Sequence, residues 1–253
     1  MENRNAIKNR MKTIEETKQM ASVMELSASA GIHRAQKAVK QCLPSFQAAE
    51  EGKTVFGFPP YTGGWEGESW AIVAGGDRGL AGGYYVRLFE GVPKGAKVIP
   101  LGKKTAEFAT SRGFSLGTDR VCRLAEYNGI VQDLLEAFLG KTVAEIFMVT
   151  PTMSGEAQCK KLLPLPPAQG RMQYDPSAES AAKRFASFYL SAQIVYAVKQ
   201  AGVCELAARR EAMGAAANNA EEMLEQLTLA YHAARQAAIT RELVEIVAGS
   251  EEI

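Results

Sequence analysis

The sequence predicts an α/β protein with long terminal helices, in which the two ends form an antiparallel two-helix coiled coil beside a central Rossmann-like α/β domain. All ten prolines and 19 of the 23 glycines lie between Pro44 and Pro176. Proline interrupts helices and glycine weakens them, so both ends are free to be long helices. We therefore divide the chain into an N-terminal helix (1–43), an α/β domain (44–176) and a C-terminal helix (177–253) that pairs with the first.

The N-terminal segment carries a repeat typical of a coiled coil. Steps of 3.5 residues from Ile7 to Val39 meet ten positions, eight of which are apolar. Such a narrow apolar stripe indicates a seam against one partner helix. The ten positions are Ile7, Met11, Ile14, Lys18, Ala21, Glu25, Ala28, Ile32, Ala35 and Val39.

The C-terminal segment shows the same repeat, with seven apolar residues in eight positions: Ala220, Met223, Leu227, Ala230, Ala234, Ala237, Arg241 and Val244. A helix over 177–247 would be ~105 Å long at 1.5 Å per residue, whereas the N-terminal helix would span only ~60 Å. We expect the two seams to pair and the longer helix to project beyond its partner, where another protein covers it.

The middle of the chain alternates apolar strands with helical patterns. We predict strands at 69–74, 96–101 and 144–150, and helices at 104–112 and 128–139. This alternation is typical of βαβ units and a mainly parallel sheet. A further strand over 159–165 is predicted at the sheet edge, because Pro164 is poorly tolerated in a central strand.

Composition excludes several classes of protein. The net charge is +1, which removes the basic excess that nucleic-acid binding needs. Four cysteines without a C-x-x-C pair, and two histidines placed in the helical ends, predict reduced thiols and neither a metal nor a cofactor. The longest apolar runs fall short of the ~20 residues that span a bilayer, so we expect no direct membrane insertion.

A glycine-rich loop follows the first predicted strand, with the sequence Gly-Gly-Asp-Arg-Gly-Leu-Ala-Gly-Gly from Gly75 to Gly83. Glycine loops at such places can hold phosphate on backbone N–H groups. This spacing is neither G-x-G-x-x-G nor a P-loop. Close packing of strand, turn and helix is the better interpretation, and a small-molecule or nucleotide-binding α/β protein with dimerising helical arms is the alternative. A free coiled-coil scaffold is a third possibility.

Several ordered blocks resemble the gamma subunit of F-type ATP synthases. Residues 7–14 are similar to the opening helix of that family, and residues 77–83 are similar to its S-D-R-G-L-C/A-G-G element. Residues 205–213 and 219–220 resemble its E-x-A-A-R-x-x-A-M…N-A run, and residues 227–229 together with 234–247 give the sharpest match.

The resemblance implies a non-catalytic rotor in the central stalk. It would couple ion flow through the membrane c-ring to ATP synthesis or hydrolysis in the alpha and beta hexamer. Alpha, beta, epsilon and the c-ring would be its partners, at the cytoplasmic face of a bacterial inner membrane. Arg235, Gln236 and Thr240 would contact a beta subunit. Residues of the glycine loop would form a structural turn of the foot domain: Asp77, Arg78, Gly79, Gly82 and Gly83.

Four features depart from the family pattern, one of which is Tyr84, which follows the glycine pair where leucine is commoner. Ser22 and Gly31 stand where lysine is usual, which leaves the first helix with fewer cations. The segment between Thr150 and Lys160 is short. We therefore expect a divergent member whose foot lacks part of an edge strand or loop.

Overall fold

The computed structural model describes residues 4–117, 127–169 and 177–250. Helix α1 spans Arg4–Gly52, and helix α5 spans Ala178–Ser250. Between them lie strands β1 (Glu68–Ala74), β2 (Lys97–Leu101), β3 (Val143–Pro151) and β4 (Ala157–Leu163). Helices α2 (Tyr84–Glu90), α3 (Lys103–Ser111) and α4 (Tyr127–Leu139) complete the described elements. The predicted long terminal helices and central sheet are confirmed.

The predicted end of α1 at residue 43 is wrong, because the helix continues through Pro44 to Gly52. Proline removes one helical hydrogen bond and crowds the preceding turn. Packing offsets this cost: the Phe46 ring stacks on Tyr196 at 4.1 Å between centroids, and Ala49 is fully buried. Tertiary contacts therefore decide where this helix stops.

The chain forms two compact units: the part up to Ser27 together with the part from Arg210, and Ala28–Arg209. The division of the chain into an N-terminal helix (1–43), an α/β domain (44–176) and a C-terminal helix (177–253) stays a prediction. No helix in the described ranges combines the length and the apolar character needed to cross a bilayer.

In the first unit, α1 and α5 pair in opposite directions. Lys18 Nζ donates to Glu221 Oε1 at 2.9 Å, and a Cβ on Gly214 would lie 3.3 Å from the Glu25 carboxyl group. Higher numbers on one helix thus meet lower numbers on the other. The predicted α1 seam is the covered face here, since its positions from Ile7 to Glu25 are buried or half-buried.

The predicted α5 seam is only partly correct. Ala220 is buried and Leu227, Ala234 and Ala237 are half-buried, but the other four predicted positions are exposed, with Met223 at 51% and Val244 at 61%. The half-buried face uses other residues in their place: Leu224, Thr228, Tyr231 and Ala238. An α-helix has 3.6 residues per turn, so a strict 3.5-residue step moves off the covered face over several turns.

In the second unit, the same two helices are also antiparallel. A Cβ added to Gly31 would lie 3.2 Å from Leu206 Cδ1, and one added to Gly52 would lie 2.4 Å from the Phe185 ring. Gly31 therefore sits against α5. A Cβ at this position would require the Leu206 side chain to shift slightly.

The four strands form one sheet in the order β2-β1-β3-β4. Strand β1 pairs in parallel with β2 and β3, and β4 is antiparallel to β3 at the edge. The mainly parallel sheet and the edge strand are confirmed, although β4 stops at Leu163, before Pro164. A short turn joins β3 to β4, and six residue pairs connect the two strands, so the foot keeps its edge strand.

The second unit has three layers. Alternate residues of β1 point to opposite faces: Ala71 and Val73 pack with α2 and α3, and Ile72 and Ala74 pack with α4, α5 and the end of α1. These four β1 residues are fully buried, as expected for a central parallel strand covered on both sides.

Candidate functional site: the glycine loop and the outer face of α5

The glycine loop leaves the carboxyl end of β1, next to the point where the sheet order switches from β2 on one side to β3 on the other. In open α/β sheets this crevice is where ligands bind. Whether a ligand could bind here depends on what the loop's N–H groups and the crevice already contact.

On one side, the loop is fixed to the start of α3. Asp77 Oδ1 accepts a hydrogen bond from the Lys103 backbone N–H at 2.7 Å, and the Gly76 carbonyl accepts one from Lys104 N–H at 3.1 Å. A carboxylate at a helix N-terminus satisfies free donors and opposes the positive end of the helix dipole. Gly102 is required at this approach, because its φ is +107° and a Cβ would lie 2.6 Å from the Gly76 carbonyl oxygen.

On the other side, a buried ion pair on α5 holds the loop. Glu205 Oε1 accepts a hydrogen bond from Arg78 N–H at 3.2 Å, and Arg209 Nε donates to the Gly79 carbonyl at 3.1 Å. Glu205 and Arg209 also pair with each other one helical turn apart. Burial raises the pKa of Glu205, while the Arg209 guanidinium opposes that shift.

The same part of α5 also covers the carboxyl end of β3. Cys204 Sγ lies 3.7 Å from the Pro151 carbonyl oxygen and 3.7 Å from Met153 Sδ. Residues Cys204 to Arg209 of α5 therefore contact both strand ends that border the switch point. The Glu205 carboxylate occupies the Arg78 N–H, one of the loop donors that a phosphate could use, and brings an acidic group to this crevice, which argues against the nucleotide-binding alternative.

The remaining predicted loop residues shape the turn into α2. Gly82 has φ +56°, a conformation that favours glycine, and Gly83 is the N-cap residue of α2. Leu80 also has a positive φ of +61°, and its side chain is 59% exposed. It borders an open cleft of about 450 Å³ between the loop and α3, floored by Tyr85 and Phe108.

Arg235, Gln236 and Thr240, predicted to contact a beta subunit, are all exposed on α5. Thr240 Oγ1 donates to the Gln236 carbonyl at 3.0 Å, a local helical bond. At 100° per residue, Gln236 and Thr240 lie about 180° and about 140° from the half-buried Leu227, whereas Arg235 lies only about 80° from it. Gln236 and Thr240 are thus on the outer face of α5, and Arg235 is exposed at the border of the covered face.

The same part of α5 also exposes large apolar side chains. Within the described part of α5 beyond Arg210, seven such side chains are at least 44% exposed: Met223, Leu229, Ile239, Leu243, Val244, Ile246 and Val247. Exposed apolar residues of this number on one helix are typical of a surface that binds another protein.

Sequence reasoning noted Glu205 and Arg209 as part of a family motif but gave them no role. A signal was present: a glutamate and an arginine four residues apart, in a helix whose preceding turns are apolar, form a pair on one face. Nothing in the sequence shows that this face meets the glycine loop, about 130 residues earlier in the chain.

Comparison with known proteins agrees with the resemblance. The family model described as ATP synthase matches residues 3–253. An "ATP synthase gamma chain" of Lachnoclostridium phytofermentans is 30% identical over 98% of this chain and 98% of its own length. One of Synechococcus elongatus is 30% identical over 99% of both chains, and one of Alkaliphilus metalliredigens is 29% identical over 97% and 96%.

Solved structures share the fold. A chain of the Euglena gracilis mitochondrial ATP synthase rotor matches with a TM-score of 0.62 and 12% identity, covering 93% of this chain and 98% of that one. A second chain, from the OSCP/F1/c-ring part of the same enzyme, gives 0.68 and 14%, covering 98% and 93%. With near-complete coverage by the family and by its relatives, this chain belongs to the ATP synthase gamma chain family, the non-catalytic central-stalk subunits of F-type ATP synthases.

Proposed function

We propose that this chain turns as the rotor of an F-type ATP synthase, with its paired terminal helices inside a hexamer of alpha and beta subunits. Its α/β domain is the foot, which meets an epsilon subunit and the c-ring. Rotation of the asymmetric shaft couples ion flow through the ring to ATP synthesis or hydrolysis at the catalytic sites of the hexamer. The chain itself carries out no catalysis.

The observation that best supports this role is the outer face of α5. Its side chains at Ile239, Leu243 and Ile246 are between 44% and 68% exposed, although burying one such side chain is worth about 1.5–3 kcal/mol. A helix that leaves this much apolar surface uncovered by its own chain is suited to be enclosed by other subunits. We call this enclosing surface of the alpha and beta subunits the sleeve.

Arg235, Gln236 and Thr240 supply the polar contacts to that sleeve. They are exposed in the same stretch of α5 as Ile239 and Leu243. A guanidinium can pair with a carboxylate through two parallel hydrogen bonds, which fixes orientation as well as adding affinity. We assign Arg235 to such a pair with a beta subunit, and Gln236 and Thr240 to neighbouring hydrogen bonds.

The test is Arg235→Ala in the chain assembled with its companion alpha and beta subunits. Loss of a charge-assisted contact should raise the dissociation constant of the shaft from the hexamer about tenfold, the equivalent of about 1.4 kcal/mol. The isolated chain should unfold at an unchanged temperature, because Arg235 is exposed there. Binding measured by surface immobilisation of the hexamer gives the first quantity, and calorimetry gives the second.

Lys183→Ala is the matched control, since Lys183 is an exposed cation on the same helix within the α/β unit. It should leave binding to the hexamer unchanged. Equal binding by the two variants would contradict the assignment of Arg235, and failure of the wild-type chain to bind alpha and beta subunits would contradict the rotor itself.

The location follows from these partners. With the foot on the c-ring and the shaft in the hexamer, the chain lies at the cytoplasmic face of a bacterial inner membrane as a peripheral subunit. In this arrangement, contacts with the other subunits hold it there.

A further inference from the structure

Glu205 and Arg209 are the only charged side chains that are buried in the described part of the chain, at 7% and 8% exposure. Removing an ion pair from water costs several kcal/mol per ion, and apolar residues of similar volume often stabilise a fold as well or better. Stability alone therefore gives no reason for placing these two charges here, and their hydrogen bonds indicate another reason.

Both side chains bond to the backbone of the glycine loop in addition to each other. Glu205 accepts from Arg78 N–H, and Arg209 donates to the Gly79 carbonyl. The approach is close, because a Cβ added to Gly76 would lie 2.2 Å from Glu205 Oε2. The loop is in turn bonded to α3 through Asp77 and Lys103. These bonds form a continuous polar connection from α3 through the loop to α5.

The apolar contacts of α5 near this point are of a different kind. In the two turns before Cys204, the buried residues include Ala197, Ala201 and Val203, whose side chains are short, and the larger buried side chains of Leu190 and Ile194 lie further back along the helix. Hydrophobic contacts resist separation but have no preferred direction, so small smooth side chains give little resistance to rotation about the helix axis. Charge-assisted hydrogen bonds are directional and do resist it.

The position of the pair along the helix matters for the same reason. Arg209 is the last residue of the α/β unit on α5, and the helix then continues without interruption to Ser250. Torque that travels from the α/β unit along α5 itself passes through the turn that contains Glu205 and Arg209.

We propose that Glu205 and Arg209 are positioning residues for rotary coupling, which fix the angle of α5 on the α/β domain through the backbone of the glycine loop. This inference rests on the rotor function proposed above. Without the pair, the foot and the shaft still assemble, but the foot can turn through a wider angle while the shaft is held by the hexamer.

The experiment measures torsional stiffness in the complex of this chain with its alpha and beta subunits. A bead is attached to the exposed Cys159 of the foot, after replacement of Cys42 and Cys122 by serine. Rotation is driven by ATP, and the angular spread of the bead is recorded during each pause. Glu205→Ala should at least double the variance of that angle relative to the parent, which carries the two cysteine replacements and an intact Glu205.

Two conservative variants separate positioning from a general loss of packing. Glu205→Gln loses the ion pair with Arg209 but keeps an oxygen that can accept from Arg78 N–H, so the variance should be closer to that of the parent than to that of Glu205→Ala. Arg209→Lys keeps the charge but loses the Nε–H donor to Gly79, and should give an intermediate value. It also serves as the test if Glu205→Ala does not assemble. Lys161→Ala, which breaks an exposed ion pair on β4, should leave the variance unchanged.

The outcomes are distinct. If the parent complex does not rotate with ATP, the rotor function fails. If the parent rotates, and the bead-angle variance of both Glu205→Ala and Arg209→Lys is as small as that of Lys161→Ala, the positioning role is overturned. A spread for Glu205→Gln as wide as for Glu205→Ala also overturns it, because the acceptor for the loop is then irrelevant.

Discussion

Single residues at the glycine loop show how closely the chain is packed where α5 crosses the strand ends. Gly75, like Gly76, has no room for a side chain, since a Cβ at Gly75 would lie 2.0 Å from Thr105 Oγ1. Thr105 is fully buried and accepts a hydrogen bond from Gly76 N–H at 2.9 Å. Glycine at these two loop positions therefore lets neighbouring side chains pack directly against the loop backbone. Phosphate binding is not needed to explain why these residues are glycines.

Gly76→Ala should destabilise the chain by about 1–3 kcal/mol, because the added methyl group overlaps the Glu205 carboxylate. Gly202→Ala is the matched control: a methyl group added to Gly202 of α5 would have no neighbouring atom within 4 Å, so alanine should stabilise the helix by about 0.5–1 kcal/mol. Urea unfolding of the full chain measures both. A Gly76→Ala chain as stable as wild type would mean that Glu205 does not confine the loop.

At the scale of elements, a polar cluster joins α1, β4 and α5. The Glu50 carboxylate on α1 accepts hydrogen bonds from Lys160 on β4 and from Gln193 Nε2 on α5. Lys160 Nζ also lies 5.1 Å from the centroid of the Phe46 ring. This cluster lies just beyond Pro44 and gives the last turns of α1 their tertiary anchor.

Glu50→Gln should lower the free energy of unfolding at pH 7 by about 1–2 kcal/mol, which is below the ~1.5–3 kcal/mol of a hydrogen bond to a buried charged group because Glu50 is partly exposed to water. Burial alone would raise the pKa of Glu50, but the hydrogen bonds from Lys160 and Lys53 outweigh it and hold the pKa below its ordinary value. The stabilisation is therefore complete above the ordinary glutamate pKa of ~4.3 and is lost as the pH falls through the lower folded value.

The difference between Glu50→Gln and wild type should thus be largest near pH 7 and should shrink toward pH 3, as followed by urea unfolding across that range. Glu145→Gln, which removes an exposed pair with Lys161, is the control and should change stability by less than about 0.5 kcal/mol at any pH. A constant difference for Glu50→Gln at all pH values would show that its charge has no part in anchoring α1.

For the molecule as a whole, the two units differ in what their helices bury. In the α/β unit, α5 places fully buried residues such as Leu190 and Ile194 against the sheet. In the described part of α5 beyond Arg210, the buried residues are alanines, Ala217 and Ala220, and many of the large apolar side chains, such as Leu229 and Ile246, are exposed. The first arrangement is stable within the chain, whereas the second leaves much of its apolar surface for other subunits.

Hydrogen exchange should report this difference. In the isolated chain, backbone amides of 239–247 should exchange far faster than those of 182–201, because local opening there exposes little additional apolar surface. Assembly with alpha and beta subunits should slow exchange in 239–247 at least about tenfold, since binding stabilises the closed helix. Mass spectrometry of the free and assembled chain checks this, and unchanged exchange on assembly would contradict the sleeve around α5.

The sequence by itself determined the long helices, the strands of the sheet and the family, because helix breakers, apolar runs and motif blocks are properties of neighbouring residues. It did not determine that α1 passes through Pro44, since Phe46, Ala49 and Glu50 are held by residues far away in the chain. Only the tertiary structure placed Glu205 and Arg209 on the glycine loop and filled the crevice with α5. Contacts between distant segments depend on how the whole chain packs, and the periodic spacing of neighbouring residues does not predict them.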